Sequence, residues 1–296
     1  MPRWSSLRLI ITASLFIILV SACANPKPRI PHTGEISFTS GDDSQMEVFL
    51  KNTNTGKVFN LTNLPSDDYW PSWSPDGELM AFSSTRKGNF DVYIFNYSQE
   101  TITNITNNSA DDGWPAWSAD GKWIAFASDR GGNYDVYVMK PDGTGLRNVT
   151  SNSYENGTPD WAPDNRRIVF SSNRTGDWEI FIINSDGTGL TNISNNPASD
   201  STPAWSPDGK KIAYVTERSG DAEIFVYDLD SKEFKNITNN PAGDGFPAWS
   251  PDGSQIAFSS DRGGGTNNIF TMNADGSNVV QLTDDGYNNW KPAYRP

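Results

Sequence analysis

Three observations predict an all-β chain, a propeller of six four-stranded antiparallel blades closed into a ring. A proline recurs every 44 residues, at Pro71, Pro115, Pro159, Pro203 and Pro247, and once more after 45, at Pro292. Two positions beyond each proline stands an aromatic residue: Trp73, Trp117, Trp161, Trp205, Trp249 and Tyr294. Short β-rich runs and turn residues then follow at fixed offsets in every unit. Four short strands in a repeat of about 40–45 residues is the pattern of a propeller blade.

Within a unit the elements come in a fixed order. The aromatic residue ends the first strand and leads into a turn, as in Ser74-Pro75-Asp76-Gly77 or Ala162-Pro163-Asp164-Asn165. Asp-Gly and Asp-Asn tolerate the positive φ that a tight hairpin needs. The second strand follows, Leu79-Met80-Ala81-Phe82 in one unit and Ile256-Ala257-Phe258 in another. After a Gly-containing loop comes a third strand, such as Asp135-Val136-Tyr137-Val138. The fourth ends in Thr or Ser at Thr62, Thr106, Thr150, Ser194, Thr238 and Thr283. The first unit starts at its second strand, Glu35-Ile36-Ser37-Phe38, and lacks a Trp strand before it. The last residues supply a lone strand, Lys291-Pro292-Ala293-Tyr294, which is expected to complete that unit and close the ring. Closure removes the exposed sheet edges that recruit other chains.

Composition agrees with many short strands. The 296 residues include 25 Gly, 19 Pro and 11 Trp, and 12% are aromatic. The formal charge is −13, and nucleic-acid backbones need basic surface, so nucleic acid is not an expected partner. One Cys and one His exclude an intrachain disulfide, a Cys-rich zinc site and catalysis that needs several histidines.

The first thirty residues read as an address. Arg3 and Arg8 precede an apolar run from Leu9 to Val20, then Ser21, Ala22 and the only cysteine, Cys23. The run is short for a membrane span and fits a signal peptide over residues 1–22. Val20-Ser21-Ala22-Cys23 resembles the bacterial lipobox, which implies lipid attachment at Cys23 and membrane anchoring. Residues 23–32, rich in Pro and polar groups and containing His32, read as a tether, and the propeller is expected over 33–296. Ala24 after the lipid-bearing cysteine resembles outer-membrane sorting in bacteria with two membranes, on the periplasmic side.

The repeats resemble those of TolB-type, WD-repeat-like propellers, with Pro-x-Trp-Ser-Pro-Asp-Gly, then Ile-Ala-Phe, then Ser-x-x-Arg-x-Gly. The resemblance covers residues 33–296 and implies the fold. It also implies a protein that binds partner proteins across one propeller mouth; a monomer is expected. TolB itself carries a further α/β domain before the propeller. Only about ten residues separate Cys23 from the first strand here, so a full TolB role is not expected.

Candidate site residues fall in two groups. Arg86, Arg130, Arg174, Arg218 and Arg262 recur in five units. Each precedes Asp91, Asp135, Glu179 or Glu223 by five positions, or Asn268 by six. A loop-bracing pair within each blade is expected there. The first unit has Asp42 in place of the Arg, which rules out a complete arginine ring. The second group lies in the loops entering each first strand. Asp68, Asp112, Asn156, Asp200, Asp244 and Asn289 stand three residues before each anchor proline, with Asp67, Asp111 and Glu155 beside them. Two readings stand. They form an oxygen ring at one mouth, with Ca²⁺ held by Asp68, Asp112, Asp200 and Asp244 or a basic peptide attracted. Or each braces its own turn. Tyr69, Trp70, Trp114, Phe246 and Trp290 vary between units where Thr158 and Thr202 stand elsewhere, as residues of a binding surface laid over a scaffold would.

The expected function is therefore a non-enzymatic, membrane-anchored platform that presents one loop face to an envelope protein or peptide, with no cofactor required. With His32 in the tether, no Ser-His-Asp or Cys-His set can form. A glycan-binding module using the aromatics, or a hydrolase or lyase using paired carboxylates, is the alternative.

Overall fold

The computed structural model describes residues 34–42 and 44–296. The proposed leader, Cys23 and the tether with His32 lie outside the described residues. Blade one holds β1 (Glu35–Asp42), β2 (Gln45–Asn52) and β3 (Val58–Asn60). Blade two holds β4 (Asp68–Trp73), β5 (Leu79–Ser84), β6 (Asp91–Asn96) and β7 (Thr101–Asn104). Blade three holds β8 (Asp112–Trp117), β9 (Ile124–Ser128), β10 (Asp135–Met139) and β11 (Arg147–Asn148). Blade four runs β12 (Asn156–Trp161), β13 (Arg167–Ser172), β14 (Glu179–Asn184) and β15 (Thr191–Asn192). Blade five runs β16 (Asp200–Trp205), β17 (Lys211–Thr216), β18 (Glu223–Asp228) and β19 (Phe234–Asn236). Blade six runs β20 (Asp244–Trp249), β21 (Gln255–Ser260), β22 (Asn268–Asn273) and β23 (Val280–Gln281), and β24 (Asn288–Tyr294) follows.

These are six antiparallel four-stranded sheets, each in sequence order except the first, which runs β24-β1-β2-β3. Ile36 pairs with Tyr294 and Ser40 with Asn289, so the last strand is the innermost strand of the first blade, as the sequence predicts. The seam is locked by Arg295, only 2% exposed. Its Nε donates to the Gly77 carbonyl at 2.7 Å, and Nη1 meets Glu35 Oε2 at 2.8 Å. Its guanidinium lies 4.9 Å from the Trp73 ring centre and 3.7 Å from that of Tyr97. One residue thus ties the end of the chain to blade one and to blade two.

The middle strands lack the alternation of a half-exposed strand, because a blade is covered on both faces by its neighbours. All of β9 and β10 is buried. The outer strands, by contrast, are exposed or half-exposed, as at β3 and β23. The apolar clusters straddle the seams between blades. Trp117 of blade three packs with Ala81, Val92 and Ile94 of blade two. Trp205 of blade five packs with Val169, Ile180 and Ile182 of blade four. Each fully buried Phe at the centre of a second strand, Phe82, Phe126, Phe170 and Phe258, contributes about 1.5–3 kcal/mol.

The turn after each first strand is set by its sequence. The Gly77 amide donates to the Ser74 carbonyl at 2.8 Å, with Gly77 at φ 69°. Asn165 takes the same role in blade four at φ 58°, the residue type that best tolerates this region after glycine.

Candidate functional site

The loop face is built in two layers by the innermost strands. The first layer comprises the residues opening those strands. Asp68 pairs with Ser84 across β4 and β5, and Ser84 pairs with Asp91 across β5 and β6, so the three side chains share one face of the blade. Arg86 donates from Nε to Ser84 Oγ at 2.8 Å and from Nη2 to Asp68 Oδ1 at 3.0 Å. Its guanidinium lies over the Phe82 and Tyr93 rings, 5.2 and 4.7 Å from their centres. Arg130 does the same to Asp112 at 2.8 Å, Arg174 to Asn156 Oδ1 at 2.7 Å and Arg262 to Asp244 at 2.8 Å.

The bracing arginine is confirmed, but its partner differs from the sequence expectation. The acid five positions onward is saturated by its outer neighbour. Asp91 accepts from Asn104 Nδ2 at 2.8 Å and Thr106 Oγ1 at 2.9 Å, and Asp135 likewise from Asn148 and Thr150. The arginine therefore turns inward, to a partner 18 residues earlier in the chain. Sequence spacing favoured the nearer acid; sheet pairing places the farther one alongside.

This corrects the ring of oxygen ligands. Asp68, Asp112, Asn156, Asp200, Asp244 and Asn289 are all fully buried. Most of their polar atoms are engaged within the loop and blade: Asn108 donates to Asp112 at 2.6 Å, Asn240 to Asp244 at 2.7 Å, and Asn289 Nδ2 donates to Asp285 at 2.9 Å, while Asp200 Oδ1 and Asn289 Oδ1 are buried without a partner. Burial pushes the Asp68 carboxyl above its ordinary value, against the pull of Ser84 and Arg86. Among the described residues no group of three or more His, Cys, Asp or Glu side chains is placed to hold a metal ion, and Asp68, Asp112, Asp200 and Asp244 each open the innermost strand of a different blade.

The second layer is the channel wall. The residue before each anchor proline has a positive φ: Trp70 57°, Trp114 53°, Thr158 46°, Thr202 47°, Phe246 53° and Lys291 50°. A register shift marks the same place in each innermost strand, as between Tyr69 and Ser72. Beside this bulge Trp114, Thr158, Thr202, Phe246 and Lys291 line the axial channel. Trp70 and Trp114 pack with ring centres 4.7 Å apart and 35° between their planes. Trp70 also meets Phe90 at 5.7 Å, Tyr69 meets Phe90 at 5.9 Å, and Trp114 meets Tyr134 at 5.6 Å. Five rings thus form a continuous row over blades two and three. Glycine at 113 permits it, since a Cβ there would come within 3.3 Å of the Trp70 ring. Across the mouth, Phe246 and Trp290 stack at 6.4 Å with 14° between planes, and Trp290 is 37% exposed.

Carboxylates flank the row while serving as loop braces. Asp111 accepts from the Phe90 amide at 2.9 Å and Glu155 from the Tyr134 amide at 3.0 Å. Burial, then the charges of Asp111, Asp129 and Glu155, push the Tyr134 hydroxyl up to about 12. The structure brings together Trp70 with Trp114 and Phe246 with Trp290, as two separate groups. Two wall residues escape the sequence reading: Lys291, the true equivalent of Trp70, and Asp160, which stands where the other blades have Ser72, Ala116, Ala204, Ala248 and Ala293.

A closed ring of six four-stranded antiparallel blades defines a β-propeller. The model of the TolB beta propeller domain matches residues 16–156, 144–229 and 201–296, and the chain belongs to that family. Comparison with curated proteins gives no match. Among solved structures it is similar to TolB from Acinetobacter baumannii, with 21% identity, a TM-score of 0.80, and coverage of 90% of this chain and 68% of that one. A putative TolB from Agrobacterium tumefaciens has 22% identity and a TM-score of 0.72 over 87% of this chain and 91% of that one. An oligogalacturonate lyase from Vibrio parahaemolyticus has 16% identity and a TM-score of 0.59 over 87% and 79%. At these identities the likeness shows the fold.

Proposed function

We propose that this chain is an exported, lipid-anchored binding platform that takes an envelope protein or peptide across its loop face and performs no chemistry on it. The observation that carries this reading is the continuous row of Tyr69, Trp70, Phe90, Trp114 and Tyr134 at the mouth. Large aromatic side chains on rigid strands are effective anchors for a partner, and they vary between blades while the scaffold repeats. The net charge of −13 and the carboxylates beside the row favour a partner with basic groups. Cys23, placed directly after an apolar leader, is the anchor in this reading. The resemblance to TolB-type proteins supports a protein partner.

The test is photo-crosslinking in cells from position 114 of the full-length protein. Position 208, in an exposed turn at the other end of β16, serves as control. A discrete protein adduct from 114 and none from 208 is expected. A glycan adduct from 114, or identical patterns from both positions, would overturn the protein-partner reading. In parallel, Cys23→Ala is expected to abolish incorporation of labelled fatty acid.

A further inference from the structure

Below the aromatic row the channel forms a cavity of about 270 Å³, walled by the anchor prolines, the seam tryptophans and small residues. Only two charged side chains line it among the described residues, Lys291 and Asp160. Neither is required by the repeat. The position of Lys291 is held by Trp, Thr or Phe in the other five blades, and that of Asp160 by Ser or Ala. Innermost strands touch in the order β24, β4, β8, β12, β16, β20 and back to β24. Lys291 lies on β24 and Asp160 on β12, so the two departures stand on opposite walls, Asp160 two residues farther from the mouth along its strand.

Each is held, but not by the other. The Lys291 amide donates to Ser259 Oγ at 3.2 Å, fixing the strand. One Asp160 oxygen accepts from the Trp205 amide at 2.7 Å, a seam bond that Ser72 makes to the Trp117 amide in another blade. That brace needs only a neutral acceptor, and three further blades and blade one do without one, having alanine. No ion pair joins the two among the described residues, and both line the same cavity from opposite walls. Burial pushes the Lys291 ammonium down and the Asp160 carboxyl up, each opposed by the other's charge. Opposite charges half-buried on a channel wall without contact are incompletely compensated. A ligand carrying the complementary charges at its two ends would complete both.

We propose that the channel binds a small zwitterion, of amino-acid or short-peptide size, with its anionic end on Lys291 and its cationic end on Asp160. The volume fits this class: at about 30 Å³ per water it holds about nine waters, or a molecule of some ten heavy atoms. The site lies beneath the mouth and does not rest on the partner reading.

Glycine, glycylglycine and triglycine serve as probes of increasing charge separation, followed by the fluorescence of the tryptophans lining the cavity and by calorimetry. N-acetylglycylglycine lacks the cationic end, and glycylglycinamide lacks the anionic one. Saturable binding of at least one zwitterion is expected, weakened at least tenfold by either blocked end. Lys291→Met and Asp160→Asn should each weaken it at least tenfold; Asn keeps an acceptor for the Trp205 amide. Circular dichroism and thermal melting establish that both variants fold, and wild-type titrations stand without them. No saturable binding of any of the three probes, equal binding of a blocked form, or unchanged binding in both variants would each overturn the proposal.

Discussion

Asp112 and Trp114 are two residues apart on the same strand, yet the layers they belong to follow opposite rules. The layer of Asp112 repeats: five arginines, at 86, 130, 174, 218 and 262, reach back to the residue that opens the innermost strand of their own blade. The layer of Trp114 does not: its six positions hold Trp, Trp, Thr, Thr, Phe and Lys. The first layer solves a problem common to every blade. A polar side chain at the strand start is buried by the loops and needs a partner. The second faces the channel, where the fold demands only the bulge and leaves the side chain free to vary.

Blade five sharpens the contrast from within the repeated layer. It has Tyr214 where the other complete blades have phenylalanine. The Tyr214 hydroxyl accepts from Arg218 Nη2 at 2.7 Å, and the arginine stands 3.7 Å from Asp200. Asn196 Nδ2 donates to that same oxygen, Asp200 Oδ2, while Oδ1 has no partner. The largest effect is therefore expected from Arg130→Ala, which strands the buried Asp112 carboxylate and should cost about 3–5 kcal/mol in chemical denaturation. Arg218→Ala should cost clearly less, because its ion pair is already loosened. Equal losses at the two positions would break the claim that contact with the buried carboxylate sets the cost.

Trp114→Thr copies the wall residue of blades four and five into blade three. It should cost only about 1 kcal/mol of stability, the worth of its ring contacts, while abolishing the partner adduct captured from a neighbouring mouth position such as 70. A loss as large as that of Arg130→Ala would place Trp114 among the scaffold residues instead.

The smallest effect concerns pH. Tyr134 has its hydroxyl raised from 10 to about 12 in the folded protein. The unfolded chain releases that proton first, so the contribution is intact below about pH 10 and is lost as pH rises towards 12. The difference between wild type and Tyr134→Phe in ultraviolet absorbance should titrate near 12, and the stability of the wild type should fall faster than that of the variant between these limits. A difference titrating at 10 would mean that the row is solvated and its carboxylates do not act on it.

Much of this was open to reading in the sequence. The proline-to-aromatic period, the Asp-Gly turns and the unmatched first and last strands set the blade count and the ring closure, because a repeat imposes the same local requirements at every unit. The arginines were legible as braces for the same reason. Their partners were not, since Asp91 is nearer in the chain and only sheet pairing sets Asp68 beside Arg86. Trp290 stands out in the sequence as an aromatic, although Lys291 is the residue that precedes the proline and so occupies the column of Trp70 and Trp114.

The sequence by itself therefore determined the architecture, since periodic strands buried on both faces have few ways to close. Only the tertiary structure decided which polar groups are consumed inside the blades and which face the axis. Exposure is a property of the assembled ring: the acids that open the innermost strands are covered by the loops, while the bulge beside the proline turns Trp114 and Lys291 to the channel. Lys291 and Asp160 are 131 residues apart in the chain, and it is the sixfold closure that sets them on opposite walls of one cavity.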